Sequence, residues 1–486
     1  MLNIREWKLF AVLALALLCA TPVVEAQLVR GFVSGTVTDT TNAILAGVQV
    51  TLTNKGTNIS RDSVTNDVGF YRFAAVEPGE YSIEFKLGGF ESHKVESITV
   101  NTAQEVVVNQ SLAPGGVTTE VSIVDTPGVT LDKTMATIER TFPGRVVTEL
   151  PITMNTRDVT RLALLAPTVS RAPGSNEFSA NGQRARNNNF TIDGVDNNDL
   201  SVTVDSSRVL PEAVQEVQVQ TTAYQAEFGR NSGAQFSAIT KAGTNQYHGE
   251  GWDYYRGNWM EPVSLLNKRA GINDTPRFVQ NQFGGDIGGP ILKERTFFFG
   301  LLEFNRRREA ADARNGATTP PVVPTPAGYA ALQTAPLGPG QTAASRQAVL
   351  QAMSFLPSIY SQVKNFDNPT TTTVNGVSIQ TASIRLPIAN PFNFVYNVAR
   401  VDHKISDSDN ITYRYHLDKR DQPNVQSNLQ FGTLWSAAQT VFRQNHAISE
   451  THVFGPRLLN EARVAYVRSN LDFPENDPKS STVIIT

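Results

Sequence analysis

Between Gly31 and Leu112 short runs in which every second residue is apolar recur at close intervals: Gly35-Thr-Val-Thr-Asp39, Val48-Gln-Val-Thr-Leu52, Tyr71-Arg-Phe73, Tyr81-Ser-Ile-Glu-Phe85, Ile98-Thr-Val100 and Val106-Val-Val108. A period of two is that of a strand with one buried face. The runs are separated by turn chemistry in Asn66-Asp-Val-Gly69 and Glu77-Pro-Gly79, where a glycine can take positive φ. Several short strands at this spacing predict a small β-sandwich.

The pattern changes from Gly116 to Gly243. Leu150 to Leu164 predicts an amphipathic helix that opens after Pro151 and closes before Pro167. A polar stretch, Phe178 to Arg184, leads into Phe190-Thr-Ile-Asp-Gly-Val-Asp196, and Val214-Gln-Glu-Val-Gln-Val219 alternates as a strand. This region is expected to be mixed α/β.

From Gln246 the alternation returns in longer segments, of the roughly 9 to 11 residues that a tilted strand needs to cross a bilayer. Seven qualify: Gln246–Gly257, Arg277–Gly288, Arg295–Asn305, Asn393–Lys404, Asn410–Leu417, Gln444–Phe454 and Leu458–Ser469. In the fifth, Ile411, Tyr413, Tyr415 and Leu417 occupy one phase while Thr412, Arg414 and His416 occupy the other, as lipid-facing and lumen-facing positions would. Ala462, Val464 and Tyr466 against Glu461 and Arg463 repeat it. The joins alternate as well. Gly289–Glu294, Ile405–Asp409 and Gly455–Arg457 are tight, whereas Asn258–Pro276, Arg306–Phe392 and Asp418–Arg443 are long. Outer-membrane barrels have short periplasmic turns and longer external loops. A first strand that rises outward puts every tight turn on the periplasmic side, and makes 306–392 an external loop, functional or disordered.

The N-terminus carries Arg5 and Lys8, then the apolar run Leu9–Ala20, then Val24, Glu25 and Ala26 before Gln27. This is the pattern of a Sec-type signal peptide over residues 1–26, cleaved between Ala26 and Gln27. The run is well short of the roughly 20 residues a membrane-crossing helix needs. Cys19, the one cysteine, falls inside it, so the mature chain is expected to have no thiol or disulfide chemistry. A net charge of −3 with no basic block gives no indication of nucleic acid.

Two groups of motifs resemble known families. Gly35-x-Val37-x-Asp39, Leu45-x-Gly47-Val48-x-Val50, Asp67-x-Gly69-x-Tyr71 and Pro78-Gly79-x-Tyr81 resemble the carboxypeptidase regulatory-like module. That resemblance implies a transthyretin-like, carbohydrate-binding-like fold over 29–113, accessory and without peptidase activity. Asn181-Gly182-Gln-Arg184, Ile192-Asp193-Gly194, Glu216-Val-Gln-Val219, Glu227-Phe-Gly229 and the Gly233–Gly243 segment together resemble the plug domain of TonB-dependent receptors, closest to the Oar-like group. The resemblance implies a plug over 116–243, then over 246–486 the first seven strands of an outer-membrane barrel. It also implies partnership with TonB, ExbB and ExbD and with outer-membrane lipid, in uptake of an external ligand: siderophore, saccharide or peptide. The fold class expected is thus mainly β: sandwich, mixed α/β plug and incomplete antiparallel barrel, with sandwich and plug on the periplasmic side. Receptors of this kind close about 22 strands, and unpaired strand edges facing lipid are costly, so the chain is expected to be a fragment of a longer receptor.

Thr118-Thr119-Glu120-Val121-Ser122-Ile123-Val124 loosely resembles a TonB box, against the alternative of an ordinary linker strand. Asp193, Asp196 and Asp199 could hold calcium, but their spacing of three does not suit alternating ligands. His93-x-x-Glu96 has a zinc-peptidase spacing without a third ligand, and His446 with His452 would share a strand face that could line the lumen. With no nucleophile elbow, phosphate loop or dinucleotide fingerprint, no enzyme or cofactor is expected. The rival reading is a surface adhesion, structural or carbohydrate-binding envelope protein, which would be barrel-free.

Overall fold

The computed structural model describes residues 30–115, 137–150, 157–172, 177–199, 204–224, 228–229, 231–263, 265–269, 278–311, 322–361, 363, 366–384, 388–389, 391–423, 438–455 and 458–474. The cleavage residues Ala26 and Gln27 and the candidate box Thr119–Ile123 lie outside them.

The first eight strands are β1 (Gly31–Asp39), β2 (Gln49–Asn54), β3 (Ser60–Val64), β4 (Phe70–Val76), β5 (Gly79–Lys86), β6 (His93–Val100), β7 (Glu105–Val107) and β8 (Gln110–Leu112). They form two sheets, β4-β1-β7 with β8 also on β1, and β3-β2-β5-β6. The alternating residues Val33, Val37, Val50, Leu52, Phe73, Ile83 and Phe85 meet between them. Burying each is worth about 1.5–3 kcal/mol. Gly35 is required by close approach: a Cβ there would stand 1.9 Å from the carbonyl oxygen of Val108. β3 (Ser-Arg-Asp-Ser-Val) has no apolar alternation and was not anticipated; it exists because β2 supplies its ladder, from Gln49↔Val64 to Thr53↔Ser60.

The next unit contains β9 (Ile138–Pro143), a short helix Gly144–Glu149, β10 (Val169–Arg171), β11 (Phe178–Ala180), β12 (Asn189–Ile192), β13 (Val195–Asp196), β14 (Val214–Thr222) and β15 (Gln235–Thr240). Five of these strands form one sheet, ordered β13-β12-β15-β14-β9. Within the described part of the expected long helix, the chain forms a 3₁₀ helix, Val159–Leu165. Asp158 caps its start by accepting from the Thr160 N–H at 3.0 Å, and Val159, Leu162 and Ala163 turn inward. Residues 151–156 lie outside the described set, and Pro167 ends the segment as expected.

Seven long antiparallel strands follow: β16 (His248–Gly257), β17 (Phe278–Leu292), β18 (Thr296–Ala311), β23 (Phe392–Lys404), β24 (Asp409–Gln422), β25 (Gln439–Gly455) and β26 (Leu458–Asp472). They pair in chain order, with β16 and β26 as the edges of a sheet that does not close. Several exceed the expected length, β25 reaching 17 residues. Outward positions carry Phe283, Ile287, Leu302, Tyr413, Ile448, Val464 and Tyr466, all exposed. Inward positions carry Gln280, Gln282, Glu303, Asn305, Arg414, His416, Asp418 and Asn445, all buried. Apolar side chains outside and polar ones inside are the arrangement of a lipid-embedded barrel wall. Among the described residues no helix is long and apolar enough to cross a membrane.

The long connection between β18 and β23 is not a structureless loop. It holds β19 (Val322–Pro324), β20 (Phe366–Val374) and β21 (Val377–Ile384) in one sheet, three helices, and the two-residue β22 (Ile388–Ala389) paired with β18. Val323, Tyr329, Leu356, Ile359 and Ile384 give it a core of its own.

Candidate functional site between the inner sheet and the barrel wall

The Ile192-Asp193-Gly194-Val195 segment folds as a two-residue hairpin joining β12 to β13, with φ of +49° at Asp193 and +71° at Gly194. Positive φ at both central residues is the turn that an Asp-Gly pair favours, because its twist matches the strands it joins. The turn aims the carboxylate at the barrel wall. Asp193 accepts hydrogen bonds from the N–H and hydroxyl of Thr240, both at 2.8 Å. Its other partners come from the wall: Arg414 Nε at 2.9 Å and Arg400 Nη1 at 3.8 Å. Arg414 also donates to the Ile192 carbonyl, and Arg463 donates to the Gly194 carbonyl at 2.8 Å. Arg400 is itself held by Asp402 at 2.8 Å and donates to the Thr240 carbonyl at 2.9 Å. Three strands of the wall, β23, β24 and β26, thus grip one turn.

A second charged contact lies toward the other end of β24. Arg208 N–H donates to Asp418 at 3.3 Å, and Arg443 pairs with Asp199 at 3.1 Å. These groups border a cavity of about 510 Å³ between the sheet unit and the wall, whose lining includes Asp158, Asp205, Arg208, Arg420 and Arg443. Burial, then the neighbouring Asp158 carboxylate, push Asp205 above the usual carboxylate range, against the pull of Arg208, Arg420 and Arg443. An apolar patch completes the contact: Leu210 and Ala213 pack on Phe299, Leu301, Phe394 and Tyr396 of the wall.

Of the motif residues singled out in the sequence, Asp193 and Gly194 form the gripped turn. Asn181 and Gly182 form a different turn, with φ of +53° and +72°, and Asn181 donates to the Thr221 carbonyl. Arg184 is exposed and precedes a 3₁₀ turn. The three aspartates do not converge on a cation: Asp193 meets Arg414, Asp196 accepts from the Asn198 N–H, and Asp199 meets Arg443. His93 and Glu96 sit three apart on one strand and so face opposite ways. His446 and His452 do share a face, but it is the outward one. His446 lies against Tyr413, Tyr415 and Tyr466, while His452 bonds Asp409. The gripping residues Arg400, Arg414 and Arg463 were not singled out as a site; Arg414 and Arg463 fell on the lumen-facing phase of their strands, where polar residues are ordinary in a barrel.

The wall's sequence decides the family. The profile of the outer membrane beta barrel domain matches residues 239–484, about half of the chain. The chain belongs to the outer-membrane β-barrel family. This outer-membrane barrel protein also matches the carboxypeptidase regulatory-like domain over 33–113. It is 31% identical over 268 residues to the TonB-dependent transporter Oar of Myxococcus xanthus, a match covering 52% of this chain and 24% of that one. The chain therefore spans about a quarter of that relative's length. Solved structures similar to the barrel protein include the outer-membrane transporter YddB from Escherichia coli, at 13% identity and TM-score 0.42, covering 68% of this chain and 38% of that one. Another is the siderophore receptor PirA from Acinetobacter baumannii, at 14% identity and TM-score 0.41, covering 69% and 40%. The protein is placed in the outer membrane, and the relative from Myxococcus xanthus is a transporter.

Proposed function

We propose that this chain serves an energised outer-membrane importer of the TonB-dependent kind, in which the unit from about 116 to 243 is the plug of the barrel. The observation that carries this reading is the gripped turn. A sheet unit seated against the polar face of a barrel wall and held there by Asp193 with Arg400, Arg414 and Arg463 is anchored by directional, breakable contacts. Such contacts can hold a plug at rest and yield to force.

The position of the sandwich supports an orientation. It meets the barrel at the end bearing the tight turns, where Arg30, Arg61 and Tyr81 share a cavity lining with Arg295, Lys404 and Asn410. Short turns are periplasmic in outer-membrane barrels, so sandwich and plug sit on that side and the 322–384 lobe outside. TonB, energised by ExbB and ExbD, engages Thr119, Glu120, Val121, Ser122 and Ile123 by strand addition, with main-chain hydrogen bonds giving the affinity. The imported ligand is a siderophore, saccharide or peptide.

The test is Ile123→Cys in cells whose TonB carries a single cysteine in its periplasmic domain. A disulfide-linked product that shifts with the cysteine's position along 119–123 is expected. No product at any of the five positions, while the same TonB links to another receptor of the host, would sink the reading.

A further inference from the structure

In β14 the alternation that predicted a strand divides Val217 and Val219, packed in the core of the inner sheet, from Glu216, Gln218 and Gln220 on the opposite face. A polar row of this kind ordinarily faces water. Here all three side chains are buried. What covers them includes the tip of the β6–β7 turn of the sandwich, Thr102, which is itself buried.

The Thr102 N–H donates to Glu216 Oε1 at 2.8 Å, and the Thr102 carbonyl accepts from Gln218 Nε2 at 3.3 Å. Both backbone polar groups of one residue of the sandwich are therefore taken up by two side chains spaced i, i+2 on the sheet. The row is held from behind by Glu139 of β9, which accepts from Gln218 and from Gln220, each at 3.1 Å. The turn that presents Thr102 is closed by Gln104 N–H to the Asn101 carbonyl, with Ala103 at φ +56°. Alanine is rarely found there, and such strain persists where the surroundings hold it. A second tie, the Asn245 N–H to the Gly56 carbonyl at 2.8 Å, fixes the sandwich to the start of the barrel.

We propose that the Glu216/Gln218 row is a docking surface for the sandwich, which grips the Thr102 peptide groups and latches the sandwich to the sheet edge formed by β14 and β9. The latch stands on contacts between two folded units and holds whether or not the inner sheet unit moves in transport.

Two substitutions approach the latch from opposite sides. Glu216→Ala removes the acceptor from the sheet. Thr102→Pro removes the donor from the sandwich while suiting the turn, since position i+1 before a residue of positive φ favours proline. Hydrogen exchange of the full chain is read over 99–105 and 212–222. Each substitution is expected to raise exchange in both segments by on the order of tenfold, as loss of a hydrogen bond to a charged group implies, while 31–39 and 81–86 stay protected. Glu216→Gln, which keeps an acceptor, should recover most of the protection. The proposal is overturned if either segment exchanges in both variants as in the parent. It is equally overturned if only one variant has an effect, or if exchange rises evenly through the sandwich core.

Discussion

Asp193 ties the inner sheet unit to the barrel wall through a single carboxylate. Its carboxylate is the counter-charge of Arg414, whose side chain is 1% exposed. Removing one partner of a buried pair leaves the other charge uncompensated, at a cost of about 3–5 kcal/mol. Asp193→Ala should therefore lower the thermal unfolding midpoint in detergent markedly. Asp193→Asn, which keeps an acceptor for the Thr240 N–H, should cost less. Equal, negligible shifts for both would show that the turn is not gripped. The turn's conformation is one that an Asp-Gly pair between two strands favours. Its partners were not legible in the sequence, since Arg400 and Arg414 lie 207 and 221 positions further along the chain and only the pairing of the wall strands brings them together at the turn.

Elements with a strong period were legible, and those formed by a neighbour were not. Arg414 and His416 fell on the buried phase of β24 and Tyr413 on the exposed phase, as the alternation required. β3 has no such pattern and depends on β2. The 3₁₀ helix Val159–Leu165 met its expected end at Pro167, but its capping Asp158 set a later start and a tighter winding. The 322–384 lobe was hidden because its strands and helices are short and its composition is that of a loop, rich in Pro and Thr. The lobe leaves the wall intact: β18 and β23 pair without interruption from Thr296↔His403 to Arg307↔Phe392. Replacing 322–384 by a short Gly/Ser linker should therefore leave the barrel's unfolding midpoint within a few degrees of the parent. A collapse of the midpoint would mean that the lobe supports the strands.

At the scale of the whole molecule, the sandwich lies at the tight-turn end of a wall whose outward positions include exposed apolar side chains and whose inward positions combine a polar, charged set with one apolar patch. The alternation of tight and long joins was legible from connection lengths, because a hairpin topology puts successive joins on opposite sides and outer-membrane barrels keep the short ones on one side. The contacts between parts, such as Thr102 on Glu216, were not, since each partner read alone looks like an ordinary solvated residue. The measurement that tests the account most directly is whole-cell labelling with a membrane-impermeant maleimide, in a chain with Cys19→Ser and one introduced cysteine. Thr371→Cys, exposed in the lobe, should label in intact cells. Asp67→Cys, exposed in the sandwich, should label only after the outer membrane is permeabilised. Equal labelling of the two in intact cells, or recovery of both in the soluble fraction, would contradict a chain that spans the outer membrane with its sandwich inside.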